Sequence, residues 1–152
     1  MLEPLKQWIC DFCENIINSP EDGWVEWLSD KETFNSCFGF KIVHNYGSSP
    51  LGKGGCFPYT EESPSNMHLI HFIGEKGYVY LLSFLDLGPD VIPKYKGPRV
   101  KDIREFIEFM RRLTIPYYEE ARLYFKEDNS ISYHQEELKK IIKIYGENNK
   151  KS

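Results

Sequence analysis

Hydrophobic and polar positions follow two regimes along the chain. Up to about residue 66 the apolar residues come in short runs broken by turn-forming residues; beyond it they recur mostly at helical spacing. Gly23-Trp-Val-Glu-Trp-Leu28 follows a Pro20-Glu-Asp-Gly turn and predicts a strand. Phe38–His44 alternates and predicts a second one, with Phe38, Phe40, Ile42 and His44 on one face and Cys37, Lys41 and Val43 on the other. Residues 45–66 are 22 positions with four Gly and three Pro, too long for an ordinary connection unless something tethers it.

In the second regime, 66–73 and 77–87 are apolar runs split by Gly74-Glu-Lys-Gly77. Helix is favoured for both, with Gly74 closing the first and Gly88-Pro89 the second; a hairpin across the Gly-Glu-Lys-Gly turn is the alternative. Residues 99–114 predict a helix with Val100, Ile103, Phe106, Ile107, Met110 and Leu113 as its apolar stripe, Arg112 outside it, and Pro98 in its first turn. Pro116 ends that helix and starts the next. Ser132-Tyr-His-Gln135 predicts a capping box ahead of Leu138, Ile141, Ile142 and Tyr145, with Gly146 as the exit. Together these elements predict one α+β domain over residues 1–152. A small antiparallel, zinc-clamped N-terminal sheet region (1–66) packs on a mostly helical part (67–146), followed by a frayed tail (147–152).

Composition narrows the class. Residues 1–76 hold five Lys and no Arg against eleven acids, while 77–152 hold fourteen basic residues against twelve acids. Neither part is basic enough for a nucleic-acid surface, so a nucleic-acid partner is not expected. No apolar run reaches membrane-spanning length and the first residues lack a signal-peptide pattern. A cytoplasmic location is therefore expected, where thiols stay reduced.

The chemistry that stands out is in the cysteines. Cys10 and Cys13 form a Cys-x2-Cys step, the spacing at which two thiolates clamp one side of a zinc ion. His44 at the end of a predicted strand and Cys56 within the long loop complete a Cys3His set; Cys37 is set aside because strand parity puts it on the other face from His44. Four protein ligands close a tetrahedral site, so the expected cofactor is a structural zinc that tethers the loop. A second reading of the segment is an amphipathic helix over 3–18, with Leu5, Trp8, Ile9, Phe12 and Ile16 at helical spacing and two ordinary buried cysteines. A redox dithiol is a third, without the βαβ pattern that usually surrounds one.

Other constellations carry weaker signals. His68 and His71 would share a helical face and, with Glu61 and Glu62, supply an open catalytic metal site; a hydrogen-bonded surface pair is the plainer reading. Tyr117, Tyr118 and Arg122 would line a groove for an acidic or planar ligand, but helix-end chemistry with Glu119–Arg122 as a surface pair accounts for the same residues. Lys94, Lys96, Arg99, Lys101 and Arg104 read as a solvated helix entry, and Gly52-Lys-Gly-Gly55 lacks the spacing of a phosphate loop.

Trp8-x-Cys10-x2-Cys13, Trp24-Val-Glu-Trp27, Phe40-Lys-Ile-Val-His44 and Arg112-Leu-Thr-Ile-Pro-Tyr-Tyr-Glu-Glu-Ala-Arg122 together resemble a small bacterial family with no assigned function, over roughly residues 7–145. The resemblance implies no activity and no catalytic residue, only that the cysteine region and the helices belong to one unit. The functional expectation is a non-enzymatic binding or interaction domain with a structural zinc. The alternative is a metal-dependent hydrolase built on His44, His68 or His71 with nearby acids.

Overall fold

A computed structural model describes residues 1–30, 36–87, 98–125 and 133–146. The chain is α+β, as its pattern predicts. A two-residue pair, β1 (Trp8–Ile9) and β2 (Ile16–Ile17), forms a small antiparallel hairpin around the first two cysteines. The main sheet is antiparallel with the order β4-β3-β5, built from β3 (Gly23–Leu28), β4 (Phe38–His44) and β5 (Ser65–His68). The helices are α1 (Gly74–Leu85), α2 (Ile103–Thr114), α3 (Tyr118–Ala121) and α4 (Gln135–Ile141). None of the described helices is long and apolar enough to cross a membrane.

β3 and β4 form where they are predicted, β3 behind the Pro20-Glu-Asp-Gly turn and β4 along its alternating run. Residues 66–73 do not form the expected helix: Ser65–His68 pair with Trp24–Trp27 as the third strand, and Leu69–Phe72 make a 3-10 turn. A short apolar run carries too few positions to settle its period, and an unpaired edge of β3 decides it. Gly74 accordingly opens α1 instead of closing an earlier helix, and Gly77 lies in its first turn. Gly74 has φ +68°, and a Cβ at Gly77 would collide with the Phe72 backbone, so the approach of helix and turn requires glycine there. The other alternative, a helix over 3–18, gives way to the hairpin.

The helix predicted over 99–114 begins later than its pattern implies. Its N-cap is Asp102, whose side chain accepts from the Arg104 and Glu105 amides at 2.8 and 3.3 Å. Arg99 to Lys101 run alongside Cys37, exchanging backbone hydrogen bonds at 2.7 and 2.8 Å. The buried face of α2 is also rotated. Phe106, Phe109, Arg112 and Leu113 are buried, whereas Ile103 and Ile107 are 46% and 39% exposed. Aromatic packing sets this face: Phe40 of β4 lies 5.2 and 5.0 Å from the Phe106 and Phe109 rings, in a cluster that includes Trp27, Phe72 and Phe84.

Pro116 does separate two helices. Tyr117 takes a left-handed conformation (φ +69°) and turns the chain into α3. Tyr118 and Ala121 then pack with Leu138 and Ile142 in a second apolar cluster. Helix α4 starts after His134, continues as a π-turn over Ile142–Gly146, and so ends near the predicted exit. Ser132 of the predicted capping box, the Gly88-Pro89 stop, Lys94 and Lys96, and the 147–152 tail lie outside the described residues. Arg99 and Lys101 of the predicted basic patch lie over the rings of Phe84 and Phe38, at 5.8 and 4.7 Å.

The outer edge of β4 is closed by side chains. The Phe40 amide donates to Glu105 of α2 at 3.0 Å, and the Ile42 amide donates to Asp11, between the two hairpin cysteines, at 2.7 Å. The Asp11 amide in turn donates to the Ile42 carbonyl at 2.8 Å, which seats the hairpin against the sheet.

Candidate metal centre

Three separate segments bring Cys10, Cys13, His44 and Cys56 together. Their ligand atoms (three Sγ and an imidazole nitrogen) all lie within 4.8 Å of one another, close enough to hold a metal ion, and none of the four cysteines is in a disulfide. Cys37 is not in the group, but not for the reason of parity: it precedes β4 and is buried beside residues 99–101 in the same core cluster as Trp27, Phe40 and Ile42.

The hairpin presents the first two thiols. The Cys10 amide donates to the Asn15 carbonyl at 2.9 Å and the Glu14 amide donates back to Cys10 at 3.0 Å, closing the turn. Glu14 takes a left-handed conformation (φ +61°), and the Asn15 side chain donates to the Cys13 carbonyl at 3.2 Å. Burial opposes the thiolate at Cys13, but hydrogen bonds from the Asn15 backbone and side chain, and from Cys10 and Cys56, outweigh it and hold this thiol below its ordinary value. Burial pushes the Cys56 thiol the other way, up to about 12, aided by the nearby Cys13 and Cys10 and opposed by Ser49, whose hydroxyl lies 3.3 Å from its sulfur. Without a cation the three sulfurs cannot share negative charge at such close range.

His44 ends β4 opposite Gly23 and is 5% exposed. Its Nε2 is 3.2 Å from the Ile16 carbonyl. A carbonyl only accepts, so Nε2 donates to it, and Nδ1 is the ring nitrogen that faces the sulfurs. Nδ1 is 3.4 Å from Cys13 Sγ and 3.8 Å from Cys56 Sγ. The imidazole is thus oriented by its other nitrogen, as metal-ligating histidines usually are.

Cys56 arrives on the long loop, which is held at further points. The Ser48 hydroxyl donates to Asp22 at 2.8 Å, the Asn45 amide donates to the Asp22 carbonyl at 2.8 Å, and the Tyr59 hydroxyl donates to the Gly39 carbonyl. The expected tether at Cys56 is one of several.

A buried ion network supports the hairpin from behind, and sequence reasoning misassigned it. Glu119 is 6% exposed, not part of a surface pair. It receives Arg112 side-on, Nε at 2.7 Å and Nη2 at 3.0 Å, and Arg122 through Nε and Nη2, both at 3.0 Å. Arg112 also donates to Asp11 at 2.7 Å and to the Ile9 carbonyl at 3.2 Å, while the Ile9 amide donates to Glu119 at 3.0 Å. Burial disfavours the charged forms, but Arg112 and Arg122 keep Glu119 below the usual carboxylate range, and Glu119 and Asp11 keep Arg112 firmly protonated. Arg122, expected with Tyr117 and Tyr118 at a ligand groove, is instead held by Glu119. The signal available was position: Arg112 lies three residues after Phe109, on the buried flank of α2.

His68 and His71 stand apart from this centre. They sit on β5 and the following 3-10 turn, not on one helix, with rings 6.4 Å apart, and His68 Nδ1 accepts from Trp24 Nε1 at 3.2 Å. Among the described residues neither joins a group of three donors, with Glu61 and Glu62 or otherwise. Compared with known protein families, curated proteins and solved structures, the chain matches none of them.

Proposed function

We propose that Cys10, Cys13, His44 and Cys56 bind a structural zinc ion, and that the chain is a non-enzymatic binding domain whose N-terminal half this ion clamps. The observation that carries the reading is the convergence of four soft donors from hairpin, strand end and loop within 4.8 Å. Tetrahedral zinc with ordinary bond lengths separates sulfur from sulfur by about 3.8 Å and sulfur from nitrogen by about 3.6 Å. The two sulfur–nitrogen separations, 3.4 and 3.8 Å, straddle that value. Sulfur-rich sets select zinc over magnesium or calcium, which require oxygen. Four protein ligands leave no coordination position for a reacting water, which favours the clamp over a hydrolase on His44, His68 or His71.

Protein purified without added metal is expected to carry one zinc per chain by elemental analysis. Cys13→Ser and Cys56→Ser should lose it and be destabilised by about 3 kcal/mol or more, roughly 10 °C in Tm. Cys37→Ser should retain the metal. A wild-type protein without stoichiometric zinc, or a Cys13→Ser variant that keeps both metal and Tm, would end the proposal.

A further inference from the structure

Glu26 lies in the middle of β3, in register with Lys41 on β4 and Asn66 on β5. Alternation puts it on the face opposite Val25 and Trp27, away from the aromatic core. It is 3% exposed, and its Oε2 has no hydrogen-bond partner among the described residues. A buried carboxylate oxygen left unpaired is costly, and a native fold retains one where something else completes it.

Glu26 lines a cleft of about 420 Å³ whose other walls include Trp24, Phe57, Tyr59 and Asn66. Two of the aromatic walls are locked. Trp24 gives its indole N–H to His68, whose ring stands edge-on to it at 5.9 Å. Tyr59 gives its hydroxyl to the Gly39 carbonyl; Gly39 has φ +68°, and a Cβ there would run into that hydroxyl. The rings therefore hold their places before any ligand arrives, which lowers the ordering cost of binding.

The field in the cleft is negative. Besides burial, Glu105, Glu62, Glu26 and Asp11 all act to push the Tyr59 hydroxyl up to about 12. Lys41 points to solvent and makes no ion pair with Glu26. An anion is disfavoured here, and one carboxylate among rings offers too few oxygens for a hard metal cation.

We propose that this cleft binds an organic ammonium group, with Glu26 as counter-ion at its floor and the faces of Trp24, Phe57 and Tyr59 as its walls. Burial raises the Glu26 carboxyl above its usual range, and a bound cation reverses that by stabilising the carboxylate. The site is separate from the metal centre, although Phe57 follows Cys56 directly.

The test uses the full chain as purified. n-Butylammonium chloride is titrated while the Trp24 indole N–H is followed by NMR, with butan-1-ol as the uncharged match and sodium chloride as the salt control. A saturable shift is expected with butylammonium alone, about tenfold weaker in Glu26→Gln, which keeps shape but loses charge. Phe57→Ala, which leaves the carboxylate in place, should weaken binding several-fold. No saturable shift, an equal response to butan-1-ol, or unchanged affinity in Glu26→Gln overturns the proposal and leaves a carboxyl that is only hydrated. Zinc content is measured on the same samples: cation binding by a zinc-free wild type sinks the clamp alone, and zinc without cation binding sinks the cleft alone.

Discussion

Glu14 bends the cysteine turn at φ +61°, a conformation that side chains with a Cβ adopt at a cost, and its own side chain is exposed. Glu14→Gly is expected to stabilise the metal-loaded protein by about 0.5–1 kcal/mol in chemical denaturation; a loss of stability would mean that the strain is not there. The opposite case is Glu119, buried against two arginines. Glu119→Gln keeps the volume but leaves Arg112 with Asp11 as its one remaining anion, and should cost about 3 kcal/mol by urea titration. At this scale the sequence is legible where chemistry is local. Ligand spacing singles out Cys10 and Cys13, and His44 and Cys56 are the donors that converge on them, whereas the parity argument against Cys37 fails because Cys37 packs in the core with Phe40 and Ile42. It is opaque where a charge is buried, because hydropathy sends every Arg and Glu outward. Arg112, Glu119 and Glu26 each break that rule, two by pairing with each other and with the distant Ile9–Asp11 segment, and one in the wall of a cleft.

Among elements, β4 is readable from alternation along its seven residues and β3 from an apolar run behind a Pro-Glu-Asp-Gly turn. Ser65–His68 is not, since four residues carry no period of their own and become a strand only by pairing with β3. The hairpin around Cys10 and Cys13 shares its apolar positions with a helical stripe; its β form depends on Asp11 reaching Ile42 and Arg112. The metal proposal adds an expectation here. The sheet and α1–α2 share an aromatic cluster that needs no metal, whereas the hairpin and the loop around Cys56 converge on the ligands. Chelation should therefore speed amide hydrogen exchange in residues 10–16 and 45–60 first, with α2 remaining protected. Uniform deprotection would show instead that the ion holds the whole chain in one cooperative unit.

For the molecule as a whole, acid is the informative perturbation. Glu119 titrates below its ordinary range in the folded state, so its contribution is complete above the unfolded carboxyl value, about 4.3, and disappears as pH falls through the lower folded value. Urea midpoints should then hold steady from neutral pH to about 5 and drop below roughly pH 4, less steeply in Glu119→Gln. An equal drop in both proteins would assign acid sensitivity to other groups, the thiolate ligands first among them. The carboxylates along β4 bear on a different property, the behaviour of many copies in solution. An amide that already donates to Glu105 or Asp11 is not free to take a carbonyl from a neighbouring chain, and the negative charge beside it repels a like edge. Glu105→Ala removes the acceptor from Phe40 without touching the metal ligands. Light scattering of concentrated samples should then show self-association that the parent protein resists, because the Glu105 carboxylate is part of what closes the β4 edge.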